Sequence, residues 1–353
     1  MPVYTINAAN ALERLACFHA VIDARTEDEH ALDHVPGALN WPTLNNQERI
    51  DIGTMYKQVS AFEAKKRGAA LAARNIAAHI DRHVMDLPRD WQPLLYCWRG
   101  GNRSGALATI LGAIGFHVTL IDGGYKAWRA ALVHDLDTLP TRLSYRVVCG
   151  PTGSGKTRLL HALAKQGAQV LDLEALACHR SSVLGHIPGL SQPSQKRFDS
   201  MVWSQLRGMS PARPVYVECE SKKVGNLRVP EALIQAMRSS PCIDVRLPTD
   251  ARVALLLEDY AYFIQDAQHF IERLRALIDI RGNAVIERWS QSVLEGQTPL
   301  VVHELLRDHY DPVYRQSIDR NFAQYPQAQV FESTESTLAA FDRMAQAILA
   351  QAN

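Results

Sequence analysis

The feature that most constrains this chain is a glycine-rich octapeptide, GPTGSGKT. It matches the pattern GxxxxGK[ST], comes directly after the predicted strand YRVVC and opens the predicted helix KTRLLHALAKQ. In this pattern the glycines let backbone N–H groups approach phosphate oxygens, Lys156 adds a positive charge, and Thr157 can hold Mg²⁺. The sequence therefore predicts an α/β domain with a polyphosphate site, and it does not specify ATP. The residues of this loop, the P-loop, are Gly150, Pro151, Thr152, Gly153, Ser154, Gly155, Lys156 and Thr157.

Carboxylates at neighbouring strand ends are the candidate ligands for a metal ion at the P-loop. Asp172 ends the apolar run AQVLD, and Glu218 and Glu220 end the run PVYVECE. Mg²⁺ prefers oxygen ligands, so we expect Thr157 and Asp172 to hold it, with Glu218 and Glu220 as further candidates at the metal or phosphate site. Each acid is equally compatible with a solvated surface position.

A second anion-binding loop is predicted at Cys97, where CWRGGNRS joins the apolar run PLLY to a small-residue helix. Backbone N–H groups at a helix N-terminus, with two arginines nearby, stabilise both a thiolate and a bound oxyanion. Cys97 is the candidate nucleophile. The other residues of the loop are Trp98, Arg99, Gly100, Gly101, Asn102 and Arg103. An inert buried thiol is the alternative, and the spacing of Cys97 and Arg103 also fits the short signature of cysteine phosphatases.

Composition limits the class of protein. The 353 residues, 47% of them hydrophobic, suggest about two globular domains, and a net charge of +1 excludes a uniformly basic coat for nucleic acid. No run reaches the length of about 18 apolar residues that a membrane span needs, so no membrane partner is expected. Six cysteines without CxxC spacing indicate reduced thiols and a cytoplasmic location.

The segment VIDARTEDEHALDHVPGALNWP, upstream of Cys97, resembles the start of a rhodanese-like domain, and IDGGYKAWRAAL resembles its closing strand and helix. The similarity covers about residues 5–135 and implies that Cys97 carries sulfur as a persulfide. The loop here is one residue longer than the common rhodanese loop, which leaves room for a larger anion. We predict a rhodanese-like α/β domain at residues 1–138. A P-loop NTPase-like parallel-sheet α/β domain with a helical C-terminal extension is predicted at residues 139–353.

Taken as a whole, the chain resembles the bacterial tRNA 2-selenouridine synthase family through CWRGGNRS, VLDLEALACHRSSVLG and VECESKKVGN. The resemblance implies an enzyme that converts wobble 2-thiouridine in the anticodon loop of tRNA to 2-selenouridine through an S-geranylated intermediate. It also implies selenophosphate and geranyl diphosphate as substrates, no tightly bound organic cofactor, and a selenophosphate-supplying enzyme as a candidate partner. Cys97 would either carry selenium covalently or position the donor. Candidate contacts with tRNA or an anion are His179, Arg180, Lys222 and Lys223.

Two other interpretations fit the motifs. A rhodanese-type sulfurtransferase fused to an ATP-dependent small-molecule kinase explains Cys97 and Lys156 separately. A redox- or nucleotide-sensing module explains them without catalysis. The geranyl chain would need an apolar slot, for which ARVALLLEDYAYFIQD offers Leu255, Leu256, Tyr260 and Phe263, although core packing is the simpler use of these side chains.

Overall fold

The computed structural model describes residues 3–99, 101–180, 185, 187 and 189–351, except for the side chains of residues 263 and 264. The chain divides into two compact units. The first combines Met1–Leu136 with Pro193–Ser204, and the second combines Asp137–Gln192 with Gln205–Asn353. A short segment from the second half of the sequence therefore belongs to the first unit.

Each unit is built on a five-stranded parallel sheet. The strand order is β1-β5-β4-β2-β3 in the first unit and β12-β11-β6-β8-β7 in the second, and β9 and β10 form a small antiparallel hairpin. The strands are β1 Tyr4–Ile6, β2 Ala20–Asp23, β3 Leu39–Asn40, β4 Pro93–Tyr96, β5 Thr119–Ile121, β6 Tyr145–Cys149, β7 Gln169–Leu171, β8 Val215–Glu218, β9 Lys223–Val224, β10 Leu227–Arg228, β11 Cys242–Arg246 and β12 Gln329–Glu332.

Helices connect the strands of both sheets, and a mainly helical stretch follows β11. Their bounds are α1 Ala8–Glu13, α2 Glu27–Leu32, α3 Asn46–Gln58, α4 Ala61–His83, α5 Asn102–Ile114, α6 Gly124–Leu136, α7 Lys156–Lys165, α8 Leu173–Ala177, α9 Gln195–Arg207, α10 Glu231–Arg238, α11 Thr249–Asp259, α12 Ala261–Gln265, α13 Ala267–Arg275, α14 Ile278–Arg281, α15 Asn283–Leu294, α16 Thr298–Leu305, α17 Asp311–Asn321 and α18 Leu338–Gln351. A π-helical turn, Leu306–Tyr310, joins α16 to α17.

The core of the first unit forms around β4, whose four residues, PLLY, are all buried. A strand that is apolar along its whole length is suited to the centre of a parallel sheet, where helices cover both faces. Leu107 and Leu111, one turn apart on α5, pack into the same cluster as Leu95. The sheet therefore fixes the point at which β4 ends and the Cys97 loop begins.

In the second unit β6 lies at the centre of the sheet, between β8 and β11. The buried face of α7 carries Leu159, Leu160 and Leu163, which pack with Val148 of β6 and Phe341 of α18. A separate apolar cluster, which includes Phe270 and Trp289, holds α13, α15 and α16 together. Because all five strands are parallel, the carboxyl ends of β6, β7 and β8 meet at one edge, where open α/β sheets bind their ligands.

The predicted fold class is confirmed in both units, and the apolar run PLLY before Cys97 is observed as β4. The stretch 135–144, around the predicted boundary between residues 138 and 139, contains the end of α6 and a 3₁₀ turn in which Leu139 and Pro140 are buried. Burial of these two apolar side chains stabilises a stretch whose composition is otherwise polar. Among the described residues, no helix is both long enough and apolar enough to span a bilayer.

Candidate functional site

The Cys97 loop runs from the end of β4 to the first turn of α5. Cys97 is buried, whereas Trp98 and Arg99 are exposed. Gly101 caps α5 with φ +75°, a left-handed conformation that glycine adopts without strain. The Cys97 carbonyl accepts a hydrogen bond of 2.8 Å from the backbone N–H of Tyr125. Gly100 lies outside the described residues.

The start of α6, with the doubled glycine Gly123–Gly124, determines the position of this loop. A Cβ atom at Gly124 would overlap the Cys97 carbonyl oxygen, so only glycine permits this approach. The N–H of Lys126 donates to the Trp98 carbonyl at 3.1 Å, one residue after the Tyr125 contact. The doubled glycine of IDGGYKAW thus brings the start of α6 directly against the cysteine loop.

The two arginines of the loop have different environments. Arg103 binds both carboxylate oxygens of Glu29, at 2.6 and 3.2 Å, and this pair connects α5 to α2. Burial alone would raise the pKa of Glu29, but the hydrogen bond and charge of Arg103 outweigh it and lower that pKa. Arg99 is exposed, and Asn102 is exposed at the first residue of α5. Arg103 therefore braces the loop, and Arg99 is the arginine that faces solvent.

A buried polar network supports the loop from below. The Arg25 guanidinium binds the Asp23 carboxylate at 2.6 and 2.9 Å and the Asp33 carbonyl at 2.7 Å. The Tyr125 hydroxyl donates to Asp33 Oδ2 at 2.6 Å, and the Ser200 hydroxyl of α9 donates to the same oxygen at 3.1 Å. All five side chains are buried or nearly so. Ser200, supplied by the segment 193–204, is a supporting residue that local sequence patterns gave no means of finding.

The P-loop has the geometry that its motif predicts. It joins β6 to α7, and Gly155 caps the helix with φ +81°. The Lys156 ammonium donates to the Gly150 carbonyl at 2.9 Å, which holds the side chain across the loop. Burial alone would lower the pKa of Lys156, but Cys219 and the nearby glutamates outweigh it and raise that pKa. The lysine is therefore charged where a polyphosphate would bind.

Three carboxylates gather beside the P-loop, and Asp172 is not among them. Ligand oxygens of Glu174, Glu218 and Glu220 lie within 4.8 Å of one another. Glu218 Oε1 is buried and has no hydrogen-bond partner among the described residues. Burial raises the pKa of Glu218 well above its usual value, with further increases from Glu174 and Glu220 that outweigh the opposing effect of Lys156. A divalent cation fits this donor set, because it would neutralise three crowded carboxyl groups.

Asp172 was the expected metal ligand, and the structure shows its carboxylate in use as a helix cap. Its Oδ1 accepts a hydrogen bond of 2.8 Å from the N–H of Ala175, which makes it the N-cap of α8. Its Oδ2 lies 3.1 Å from His161 Nε2. The cap turns the Asp172 carboxylate toward the helix start, and Glu174, two residues later, reaches the cluster in its place. Aspartate is a preferred N-cap residue, so its position directly before the helical run LEALA could have indicated this role.

The P-loop opens into a cavity of about 330 Å³. Lys156, Thr157 and the three glutamates line it together with apolar and aromatic side chains and with further charged groups, Arg158, Arg180, Arg238, Asp259 and His309. The apolar and aromatic lining comprises Leu255, Leu256, Tyr260, Tyr310, Val313, Tyr314, Ile318 and Phe322. Leu255 also packs in the core, as expected, whereas Leu256 and Tyr260 line the cavity; the Phe263 side chain lies outside the described residues.

Cys219 and Tyr314 were not singled out from the sequence, yet both line this cavity. The Tyr314 hydroxyl accepts a hydrogen bond of 2.6 Å from the Gly150 N–H, so α17 contacts the first residue of the P-loop. A hydrogen bond from Cys149 lowers the pKa of Cys219 to about 7. Burial alone would raise this pKa, and the charge of Lys156 adds to the lowering. Only the tertiary fold brings these side chains to the loop, since α17 begins far along the sequence.

The predicted tRNA or anion contacts have separate positions. Arg180 lines the cavity, pairs with Asp259 at 3.4 Å and lies over the Tyr260 ring at 4.7 Å. His179 follows α8, and its N–H donates to the Glu174 carbonyl at 3.1 Å. Lys222 pairs with Glu231 at 3.2 Å, and Lys223 is exposed on β9. The structure therefore brings only Arg180 of these four to the described lining of the cavity.

The side chain of Gln192 bonds to the hairpin that carries Lys223. Gln192 Nε2 donates to the carbonyls of Ala177 and Val224, at 3.2 and 3.0 Å, and its Oε1 accepts from the Asn226 N–H at 2.8 Å. These bonds join the end of α8 to the β9–β10 hairpin, which follows Glu220. Gln192 thereby fixes the segments that carry two of the three clustered glutamates.

Comparisons with known proteins agree with this arrangement. The sequence model described as the tRNA 2-selenouridine synthase AAA domain matches residues 143–277, and the rhodanese-like domain model matches residues 7–131. The chain is 32% identical to tRNA 2-selenouridine synthase of Alcanivorax borkumensis, over 85% of this chain and 90% of that protein. It is 31% identical to the synthase of Nitrosomonas eutropha, over 85% of this chain and 88% of that protein.

The synthase of Nitrosomonas europaea is 36% identical over 68% of this chain, and the matched stretch spans 63% of that relative. The matches to the other two relatives cover both loops, from the rhodanese-like unit to the P-loop unit. The predicted resemblance is confirmed: this chain belongs to the tRNA 2-selenouridine synthase family.

Proposed function

We propose that the chain replaces sulfur by selenium at the wobble 2-thiouridine of tRNA, through an S-geranylated intermediate made from geranyl diphosphate. The observation that carries the proposal is the cavity whose lining combines the phosphate-binding loop with a group of apolar and aromatic side chains. A prenyl diphosphate has this combination of a charged head and an apolar tail. The names of the relatives supply the tRNA substrate and the selenium chemistry.

Geranylation is assigned to the P-loop unit. The thiocarbonyl sulfur of the base attacks C1 of geranyl diphosphate, the C1–O bond breaks, and the electron pair leaves on diphosphate while the base loses its N3 proton. Lys156 and the loop N–H groups stabilise the departing diphosphate. Glu174, Glu218 and Glu220, with the Thr157 hydroxyl, would hold a Mg²⁺ ion that neutralises further charge when bound. Leu256, Val313 and Ile318 would contact the geranyl chain.

Selenium transfer is assigned to the Cys97 loop. Selenophosphate would bind at the N-terminus of α5 with Arg99 as its solvent-facing cation. Its selenium attacks C2 of the geranylated base, the C2–S bond breaks, and geranylthiol leaves with a proton. Water then cleaves the Se–P bond and releases phosphate. This route needs no oxidant. Cys97 therefore positions the donor and does not carry selenium covalently.

The exposed positions are assigned to tRNA and to the selenium supply. Lys222 and Lys223, on and beside the β9–β10 hairpin, would contact the RNA backbone, and Arg180 would contact an anion inside the cavity. A selenophosphate-supplying enzyme is proposed as the partner that delivers the donor. His179 is assigned to holding the end of α8.

The test is mass spectrometry of tRNA nucleosides from cells carrying single variants. Cys97→Ser should abolish 2-selenouridine and leave geranylated or thiolated tRNA, whereas Lys156→Ala should leave thiolated tRNA without the geranyl adduct. Cys17→Ser and Lys165→Ala are matched controls, because Cys17 and Lys165 are exposed and distant from either loop motif. Normal geranylation in Lys156→Ala would contradict the diphosphate assignment. ATP turnover by the wild type without any geranyl adduct would favour a kinase instead.

A further inference from the structure

Three side chains form a layered stack next to Cys97. The Arg25 guanidinium carbon lies 4.0 Å from the centre of the Tyr125 ring. The Trp98 indole stacks with Tyr125, with ring centroids 5.6 Å apart and planes inclined by 27°. Arg25 is fixed in turn by Asp23, and the Tyr125 hydroxyl by Asp33. The stack is thus anchored at its buried end and terminates in Trp98.

The outer layer of this stack is open to solvent. Trp98 is 41% exposed, although it directly follows the buried Cys97. An indole fixed in place at the surface, rather than packed in a core, is a common feature of binding sites. Its rotational freedom is already restricted by Tyr125, so a ligand that stacks on it pays little additional entropy.

Two cationic residues adjoin Trp98 along the backbone. Arg99 is the next residue along the loop, and Lys126 is held beside Trp98 by its backbone hydrogen bond. Both side chains are exposed, and among the residues that the structure describes neither takes part in an ion pair. The neighbouring Arg103 and Arg25, by contrast, are each bound to a carboxylate. The positive charge that a ligand can reach at this surface is therefore that of Arg99 and Lys126.

We propose that Trp98 is a stacking platform for an unpaired nucleobase of the RNA substrate, which becomes the fourth layer of the Arg25–Tyr125–Trp98 stack beside Cys97. Lys126 contacts a phosphate next to that base, and Arg99 remains with the selenium donor. This inference rests on the proposed function, since it takes tRNA as the substrate. Proteins recognise single-stranded RNA by this combination of aromatic stacking and backbone cations.

The platform explains why the loop presents an indole where an anion alone would require none. Selenophosphate is satisfied by N–H groups and a guanidinium, and an exposed aromatic ring adds nothing to its binding. A planar base gains from the ring whatever its sequence context, because every base has a π face. Stacking would hold C2 of the base near the donor bound at the N-terminus of α5.

The experiment measures the Kd of the full-length protein for an anticodon stem–loop RNA with 2-thiouridine at the wobble position. Trp98→Ala should weaken binding by about tenfold, within the range that base stacking contributes, whereas Trp98→Phe should restore most of the affinity. Phe62→Ala is the matched control, because Phe62 is 66% exposed on α4 of the same unit. Lys126→Gln should reduce the salt dependence of binding by about one released counterion.

A second measurement separates stacking from damage to the loop. The rate at which iodoacetamide alkylates Cys97, followed by peptide mass spectrometry, should be the same in Trp98→Phe and the wild type. Unchanged RNA affinity in Trp98→Ala would overturn the platform, as would an equal loss in Trp98→Ala and Trp98→Phe. Failure of the proposed function has a different signature: the wild type would produce no 2-selenouridine, whatever the affinities of the Trp98 variants.

Discussion

The Cys97 loop and the P-loop both connect a buried parallel strand to a helix N-terminus, and both place a glycine with positive φ at the helix cap. Their surroundings differ in charge and in exposure. At Cys97 an indole and two cations face solvent, whereas at the P-loop three glutamates, a thiol and a tyrosine enclose a cavity. One backbone design therefore occurs in two different surroundings, and the neighbouring side chains differ in the ligands that they would accept.

The ion pairs that brace the two loops also differ in burial. Asp23 and Arg25, below the Cys97 loop, are almost fully buried. Arg252 binds the Thr152 carbonyl and Asp311 near the P-loop, and the Asp311 side chain is 25% exposed. Arg25 and Arg252 are both buried, so removing either carboxylate leaves a buried charge; the Asp311 position is the one that reaches solvent, and its removal admits water to Arg252. This contrast predicts unequal costs for equivalent substitutions.

Asp23→Ala should give the largest loss of stability, about 3–5 kcal/mol in the free energy of unfolding, because it leaves the Arg25 charge buried and uncompensated. Asp311→Ala should cost less, about 1.5–3 kcal/mol, the range for hydrogen bonds to charged groups. Urea unfolding followed by tryptophan fluorescence measures both. Equal losses would show that the two braces do not differ as their burial indicates.

The Asp23 contribution should also depend on pH. Burial alone would raise the pKa of Asp23, but hydrogen bonds from His30 and Arg25 outweigh it and hold the pKa below its usual value of 3.8. A depressed pKa in the folded state contributes stability that is fully present above about pH 3.8 and is lost as pH falls through the folded value. The difference in unfolding free energy between wild type and Asp23→Ala should therefore shrink only in acid.

The two cap glycines test how tightly each loop is enclosed. Gly101→Ala should cost about 1–2 kcal/mol, because the left-handed backbone is strained but a Cβ atom meets nothing within 4 Å. Gly155→Ala should cost about 2–5 kcal/mol, because the same strain is joined by overlap with the Phe341 ring. Thermal unfolding and inorganic pyrophosphate binding report the outcome. Similar costs at both positions would contradict the enclosure of the P-loop.

The sequence predicted both loops because each is a local pattern in which strand, glycines and helix follow one another. It did not predict Glu174 or Ser200, whose roles depend on residues distant in the chain. An acid at a strand end, such as Asp172, can be a metal ligand or a helix cap, and the strand pattern alone did not indicate that Asp172 caps α8. Ser200 reaches Asp33 only because the segment 193–204 packs in the first unit.

The acidic cluster should distinguish the P-loop cavity from the Cys97 loop by its response to Mg²⁺. Glu218→Gln should weaken Mg²⁺ binding by at least 10- to 100-fold, the range seen even for residues that only support a metal ligand. Asp172→Asn is the control, because asparagine preserves the N-cap and Asp172 lies outside the cluster. Isothermal titration calorimetry with MgCl₂ and pyrophosphate measures both; an equal loss in Asp172→Asn would restore Asp172 as a ligand.

The smallest expected effect concerns the segment that the second half of the sequence lends to the first unit. Ser200→Ala removes one of two hydroxyl donors to the buried Asp33 carboxylate, which should cost about 1.5 kcal/mol in unfolding free energy. Ser204→Ala, at an exposed position of the same helix, should change it by less than about 0.5 kcal/mol. Because Asp33 also holds Tyr125, whose N–H binds the Cys97 carbonyl, Ser200→Ala should change the rate of Cys97 alkylation while pyrophosphate binding at the P-loop stays constant. A change in pyrophosphate binding with unaltered Cys97 reactivity would place the role of Ser200 at the other loop.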